Sequence, residues 1–342
     1  MAYKIAVDVY GGDKAPDTVI SGALNSIQES DADIVFVGKE KEVAEKLKMY
    51  EFDKKRVSIV NAEETVSMFE KPSLALRKKD SSMSVGIKLV KNKNANAFVT
   101  AGNSGAAMAI SMFDFGRIKG VTRPAIATLL PTLNGSVLLL DAGANVDCKP
   151  YNLLEFAIMG AIYVKYMVGI KKPKIGLLSN GSEPGKGNKL VIESYDLFSR
   201  SSLNFIGNIE GDDIYTGKAD VVVCDGFVGN VVLKTSESLP EVIANFLKSE
   251  IKKSLWYKIG FLLAKPAFRL LARKVDYAEF GGAPLLGVNG NCVIGHGRSN
   301  AKAIKNAILK AVKFSQLNIN DKIEKAVANC IVLQKCKKAV EF

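Results

Sequence analysis

Histidine is all but absent from this sequence: His296 is the only one in 342 residues. Cysteines are few as well. Cys148, Cys224, Cys292, Cys330 and Cys336 are scattered, odd in number and nowhere spaced as C-x-x-C, which argues against a disulfide framework and a cysteine zinc site. With one imidazole to add to them, no metal centre is expected. Long apolar runs are missing too. The longest uncharged stretch, residues 124–140, contains Pro131, Asn134 and Gly135 and stops at Asp141, so it reads as two short strands around a turn at 132–135 rather than a bilayer span. No solenoid-period repeat or low-complexity linker is evident. The first residues run directly into a strand pattern instead of a secretory signal, and a reducing cytoplasm is the expected setting.

The residues present are those of an ordinary globular chain. Apolar residues make up 48% and charged residues 24%, which excludes disorder over most of the length. Strand-length apolar runs at 4–9, 34–37, 57–60, 97–100, 126–130, 137–140, 175–178, 205–207 and 221–224 alternate with helical patterns such as 18–29, 40–48 and 188–200. That order predicts right-handed βαβ units and an α/β fold with a mostly parallel sheet covered by helices. One unit is expected over 1–333, with 334–342 as an expendable tail. Lys and Arg number 47 against 35 Asp and Glu, a net charge of +12. Such an excess suits nucleic acid, anionic lipid or an acidic protein; a solvated, lysine-rich surface gives the same number.

Polar groups gather where the predicted strands end, the edge on which open α/β sheets place ligands. The stretch "AVDVYGGDKAPD" (6–17) closes the first strand with a glycine pair and then opens a helix pattern. It lacks the third glycine of G-x-G-x-x-G, and Gly38-Lys39 stands where an acid would hold a ribose, so a dinucleotide is a poor fit. Gly12, Asp13 and Lys14 instead suit a small anion approached by backbone N–H groups, or a plain tight turn with a solvated lysine. "RKKDSSM" (77–83) sets three cations beside two hydroxyls. "TAGNSGA" (100–106) puts Asn103 and Ser104 at a helix start, where free N–H groups point outward. "DAGANVDCKP" (141–150) offers Asn145 and Asp147, "NGSEPGKGN" (180–188) offers Lys186 and Asn188, "CDGFVGN" (224–230) offers Asn230, and "GHGRS" (295–299) holds His296. Each alone is weak; together they predict an anion-binding cleft. His296 is either a ligand-facing group or a neutral ring bonded to backbone. No nucleophile elbow is present, since "AGNSGA" does not match G-x-S-x-G.

Residues 249–274, "SEIKKSLWYKIGFLLAKPAFRLLARK", stand apart. Seven cations face one acid, Glu250, around an apolar cluster that includes Trp256, Phe261, Leu262 and Leu263, and Pro266 is expected to divide two short helices. This is the composition of a protruding amphipathic hairpin lying on a membrane surface, or of a helix pair buried between subunits. A nucleic-acid platform is disfavoured, because the aromatics accompany bulky aliphatics.

With "GGDKAPD", "RKKDSSM", "AGNSGA", "DAGANVDCKP", "GKGN", "GNIEGDDI", "KADVVVCDGFVGNVVLKTSE", "GGAPLLGVNG" and "AKAIKNAI" assembled, the chain resembles the bacterial phosphate acyltransferases of the PlsX type, from residue 2 to about 328. Val9-Tyr10 and Ser104 replace the family's usual Ala-Met and Thr, and the loop before Lys186 is less acidic. The resemblance implies a fold like that of isocitrate and isopropylmalate dehydrogenases and phosphotransacetylases. It implies an enzyme that makes acyl phosphate from acyl-carrier protein and inorganic phosphate for phospholipid synthesis. No cofactor is implied beyond the carrier's own arm. A homodimer is implied, as are peripheral contact with an anionic membrane and delivery of product to a membrane glycerol-phosphate acyltransferase. On this resemblance Lys186 and Asn230 are expected to meet phosphate and the oxyanion, Asn103 and Ser104 to position phosphate or carbonyl, and His296 to meet the departing thiolate.

Overall fold

The computed structural model describes residues 2–340, apart from the side chains of residues 273, 275, 277 and 338–340. Its strands are β1 (Tyr3–Asp8), β2 (Ala32–Gly38), β3 (Val57–Asn61), β4 (Ala97–Thr100), β5 (Ala125–Ile126), β6 (Thr128–Thr132), β7 (Gly135–Leu140), β8 (Ile175–Leu178), β9 (Phe205–Ile209), β10 (Val221–Val223), β11 (Ala283–Leu286) and β12 (Cys292–Ile294). They form two sheets. Seven strands run in the order β3-β2-β1-β4-β12-β11-β5, and five in the order β6-β7-β10-β8-β9. The first five strands of the larger sheet are parallel, whereas β11 is antiparallel to both β12 and β5. In the smaller sheet only β6 runs antiparallel, in a hairpin with β7 that pairs Thr132 with Gly135.

Strands buried on both faces read as continuous apolar runs, which is why most were visible in the sequence. Ile5 and Val7 of β1 face one core, Ala6 the other; Leu138 and Leu140 of β7 likewise part from Val137 and Leu139. The run predicted as one strand over 126–130 is divided. Its first residue, Ile126, belongs to the larger sheet and Thr128 onward to the smaller, so the chain changes sheets at Ala127. β11 and β12 were not predicted, because each is very short and lies among glycines. The helix Pro150–Tyr163 is buried on almost every face, and Gly160 admits the neighbouring strand: a Cβ there would stand 2.7 Å from Val221 Cγ1.

The segment expected to be a tail continues the helix Ile331–Val340. Gln334 Nε2 donates to the Val327 carbonyl at 3.1 Å. Lys337 Nζ lies 2.6 Å from Glu155 Oε1, a carboxylate that is wholly buried and also accepts from Thr122 N and Oγ1. Residues 341–342 of that segment lie outside the described residues. Removing the cation leaves a buried charge uncompensated, so Lys337→Met is expected to lower stability by about 3 kcal/mol. A urea denaturation midpoint close to wild type would show that the helix end is dispensable after all.

Candidate active site

β1, β4 and β12 are parallel neighbours, so their C-terminal ends deliver three loops to one edge. Asp8, the last residue of β1, anchors them. Its Oδ1 accepts from Ser82 Oγ at 2.6 Å and Tyr10 N at 3.2 Å, and its Oδ2 from Thr100 Oγ1 at 2.7 Å. Thr100 Oγ1 in turn accepts from Gly102 N at 3.0 Å. Burial pushes the Asp8 carboxyl above its ordinary range, against the lowering effect of these donors. Gly11 is packed so closely that a Cβ would stand 2.7 Å from Ala101 N, and Gly12 holds φ +111, which favours glycine. Asp13 N donates to the Gly297 carbonyl at 2.8 Å, which binds the first turn to the histidine loop. Lys14 and Ser104 are exposed along this edge.

The smaller sheet repeats the device. Asp141 follows β7 and is fully buried. Its Oδ1 accepts from Ile126 N, Gly143 N and Ala144 N at 3.0, 3.3 and 3.1 Å, and its Oδ2 from Asn145 N and Nδ2 at 2.7 and 2.8 Å. Burial raises this carboxyl too, against the same kind of donors. The turn it organises receives the helix Gly226–Lys252, whose first turn Asp225 caps by accepting from Phe227 N and Val228 N. Gly229 permits the contact: a Cβ would fall 1.8 Å from the Asp141 carbonyl oxygen. Asn230 is thereby left exposed against Gly143. Beside it, the loop after β8 carries exposed Lys186, whose stem lies over Gly181, with Gly187 at φ +109.

The predicted amides divide into two groups. Asn103 caps the helix Ser104–Phe115 through Oδ1 and donates to the carbonyls of Ser67, Met68 and Glu70. Asn145 bonds Asp141 and the Pro124 carbonyl, and Asn188 caps the helix Lys189–Ser199. These three build the loops. Asn230 and Lys186 present their side chains outward, and Asp147 is exposed in the Asp141 loop.

The helix Gly226–Lys252 joins the two edges. Lys234 Nζ and Glu237 Oε2 lie 3.4 and 3.5 Å from His296 Nε2, and Arg298 approaches Glu241 at 3.6 Å. His296 Nδ1 accepts from Arg298 N at 3.1 Å, which assigns the neutral ring's proton to Nε2. Half-burial acts to raise the Glu237 carboxyl, but hydrogen bonds from His296 and Lys234 outweigh it and hold the group below its ordinary range. Asp8, Asp141 and Glu237 were not singled out from sequence. The first two carried a signal: each is an acid closing an apolar run, in "AVD" and "LLLD".

The expected hairpin exists but begins earlier. Two helices, Gly226–Lys252 and Leu255–Val275, meet at a turn around Lys253 and Ser254. Pro266 lies inside the second and does not divide it, a correction to the sequence reading: a proline removes one backbone bond, and the turns on either side keep theirs. Trp256, Leu262 and Leu263 are 79, 66 and 79% exposed, while Phe261 is half-buried against Phe268, with ring centroids 5.2 Å apart. Among the described residues no helix is long and apolar enough to cross a membrane, and no group of three or more His, Cys, Asp or Glu is placed to hold a metal ion.

Two mostly parallel sheets whose strand ends carry these loops define an α/β fold class with solved relatives. A phosphotransacetylase from Streptococcus pyogenes superposes with a TM-score of 0.63 at 18% identity, over 92% of this chain and 94% of that one. A 4-hydroxythreonine-4-phosphate dehydrogenase from Klebsiella pneumoniae gives 0.54 at 13% identity, over 92% and 100%. At these identities the likeness is one of fold. The profile of the family described as fatty acid synthesis protein matches residues 3–322. Phosphate acyltransferases from Dictyoglomus thermophilum and Syntrophotalea carbinolica are 52 and 51% identical, covering 94 and 93% of this chain and 96 and 92% of theirs. The chain belongs to the fatty acid synthesis protein family.

Glu237 yields a prediction. A carboxyl with a lowered folded pKa contributes stability above its unfolded pKa, and loses that contribution as pH falls through the folded value. Wild type is expected to exceed Glu237→Gln by about 1 kcal/mol at neutral pH, discounted for partial exposure. Denaturation midpoints measured down the acid limb should converge; a gap that stays constant with pH would contradict the ion-pair account.

Proposed function

We propose that this protein is a phosphate acyltransferase that makes acyl phosphate from an acyl-carrier-protein thioester and inorganic phosphate. The observation that carries this reading is half-identity over more than nine-tenths of each chain to proteins named phosphate acyltransferase. The anion-suited loops at the sheet edges agree with it. A phosphate oxygen attacks the thioester carbonyl carbon and the new C–O bond forms. The tetrahedral oxyanion then collapses, the C–S bond breaks, and the thiolate takes a proton. Holding the two substrates in line supplies much of the rate, and fixed donors stabilise the oxyanion. Lys186 and Asn230, both presented outward from neighbouring strand ends, meet phosphate and oxyanion. The turn at Gly12, Asp13 and Lys14 and the helix start at Ser104 shape the phosphate side. His296, with its Nε2 proton beside Lys234 and Glu237, faces the departing thiolate.

The test is direct: incubate the protein with phosphate and acyl-carrier-linked or coenzyme A-linked donors, and look for acyl phosphate by mass. Product from coenzyme A alone would replace the carrier with a free thiol as donor. Product from neither would defeat the reading. In the same assay Lys186→Ala and Asn230→Ala should each lower kcat/KM by about tenfold to a hundredfold, the effect of losing one charge-assisted contact. Unchanged rates in folded variants would remove those residues from the site.

The helical arms account for the remaining expectations. Their far end combines exposed Trp256, Leu262 and Leu263 with basic residues and suits the headgroup layer of an anionic bilayer, where each lysine contributes about 1 kcal/mol. Closer to the body, Leu239, Val242, Ile243 and Phe246 form an exposed stripe at helical spacing, fitted to a second copy in a homodimer. Acyl phosphate formed there reaches a membrane glycerol-phosphate acyltransferase without crossing bulk water. Leu262→Glu with Leu263→Glu is expected to abolish co-sedimentation with anionic vesicles while soluble activity and dimer mass persist. Loss of the dimer would turn the arm's far end into a subunit contact instead.

A further inference from the structure

The loop between β3 and the helix Pro72–Ala75 is braced at several points, yet it holds Met68 and Phe69 in solvent. Asn103 Nδ2 donates to the carbonyls of Ser67, Met68 and Glu70 at 3.3, 3.0 and 2.8 Å. The Glu70 carboxylate accepts from Ser67 N at 3.1 Å and Lys78 Nζ at 2.8 Å, and Lys78 also reaches the Thr65 carbonyl. On this frame Phe69 is 98% exposed and Met68 37%. A single exposed apolar residue needs no explanation, but the position of this pair does. The Met68 methyl lies against Gly297, next to His296: a Cβ on that glycine would stand 2.8 Å from it. The helix that brings Lys234 to His296 presents Phe227 and Val231, 62 and 51% exposed, on the same face as Lys234. Met68 thus adjoins the histidine loop from one half, and Phe227 and Val231 share a helix face with the lysine that reaches that loop from the other.

We propose that Met68 and Phe69 form one wall of a track for the acyl chain of the thioester and set the chain length the enzyme prefers. This rests on the acyl-transfer reading above. An acyl chain is the apolar part of such a substrate, and covering an aromatic ring with methylenes removes apolar area from water on both partners. A short acyl group ends before the ring; a long one lies along it.

The experiment compares Phe69→Ala and Phe69→Leu with wild type, using octanoyl and hexadecanoyl thioesters of one carrier protein and reading kcat/KM for acyl phosphate. In Phe69→Ala the hexadecanoyl value should fall about tenfold and the octanoyl value less than about twofold, with Phe69→Leu recovering most of the loss. An equal fall for both donors, no change for either, or dissociation of the oligomer in Phe69→Ala would overturn the proposal. Wild-type protein that makes acyl phosphate from neither donor would overturn the underlying function, an outcome distinct from active wild type with an indifferent Phe69.

Discussion

A carboxylate taken out of water must be met by donors, and the architecture around the cleft follows from meeting two of them. Asp8 and Asp141 are buried at the ends of parallel strands, and hydroxyl and backbone N–H groups, not a lysine or arginine, surround them. An isolated buried charge costs several kcal/mol, so every donor that turns toward these acids is held firmly. Apart from Ser82 and Ile126, those donors lie at the loops: Tyr10 in the first turn, Thr100 and through it Gly102 at the second, and Gly143 to Asn145 in the third. The acids therefore fix loop shape from below, while Lys14, Ser104 and Asp147 stay exposed on the loops themselves.

The two halves are joined by opposite means. Below, backbone crosses from one sheet to the other through β5 and β6. Above, the helix Gly226–Lys252 starts on the Asp141 loop and reaches the histidine loop with Lys234 and Glu237. Close packing at Gly229 and the contact of Glu237 with His296 are thus two ends of one brace. The brace also carries Asn230, which ties the position of a proposed reacting group to the spacing between the halves.

Much of this was legible in the sequence, for a physical reason. Strands covered on both faces must be apolar throughout, so β1, β2, β4, β7, β8 and β10 announce themselves. β11 and β12 do not, because three or four residues between glycines carry no periodicity. The change of sheet at Ala127 left no mark either: an apolar run looks the same whichever sheet pairs with it. For the site, turn chemistry singled out loops at the strand ends but not the division of labour within them. A helix-capping asparagine and an outward-facing one have the same letter, and only the partners of Asn103, Asn145 and Asn188 separate them from Asn230. Pro266 misled because its cost falls on one bond, while the sequence reading treated it as a boundary.

The crossing at Ala127 bears on how the protein can move. Residues on either side of it are laddered into different sheets, Ile126 to Leu285 and Thr128 to Leu139, and Ile126 N is held by Asp141. Ala127 itself donates to the Pro284 carbonyl at 3.1 Å, so the crossing carries no slack. The halves cannot drift apart here like beads on a string; they meet as covers do at a spine, and the Asp141 loop sits at the fold of the page.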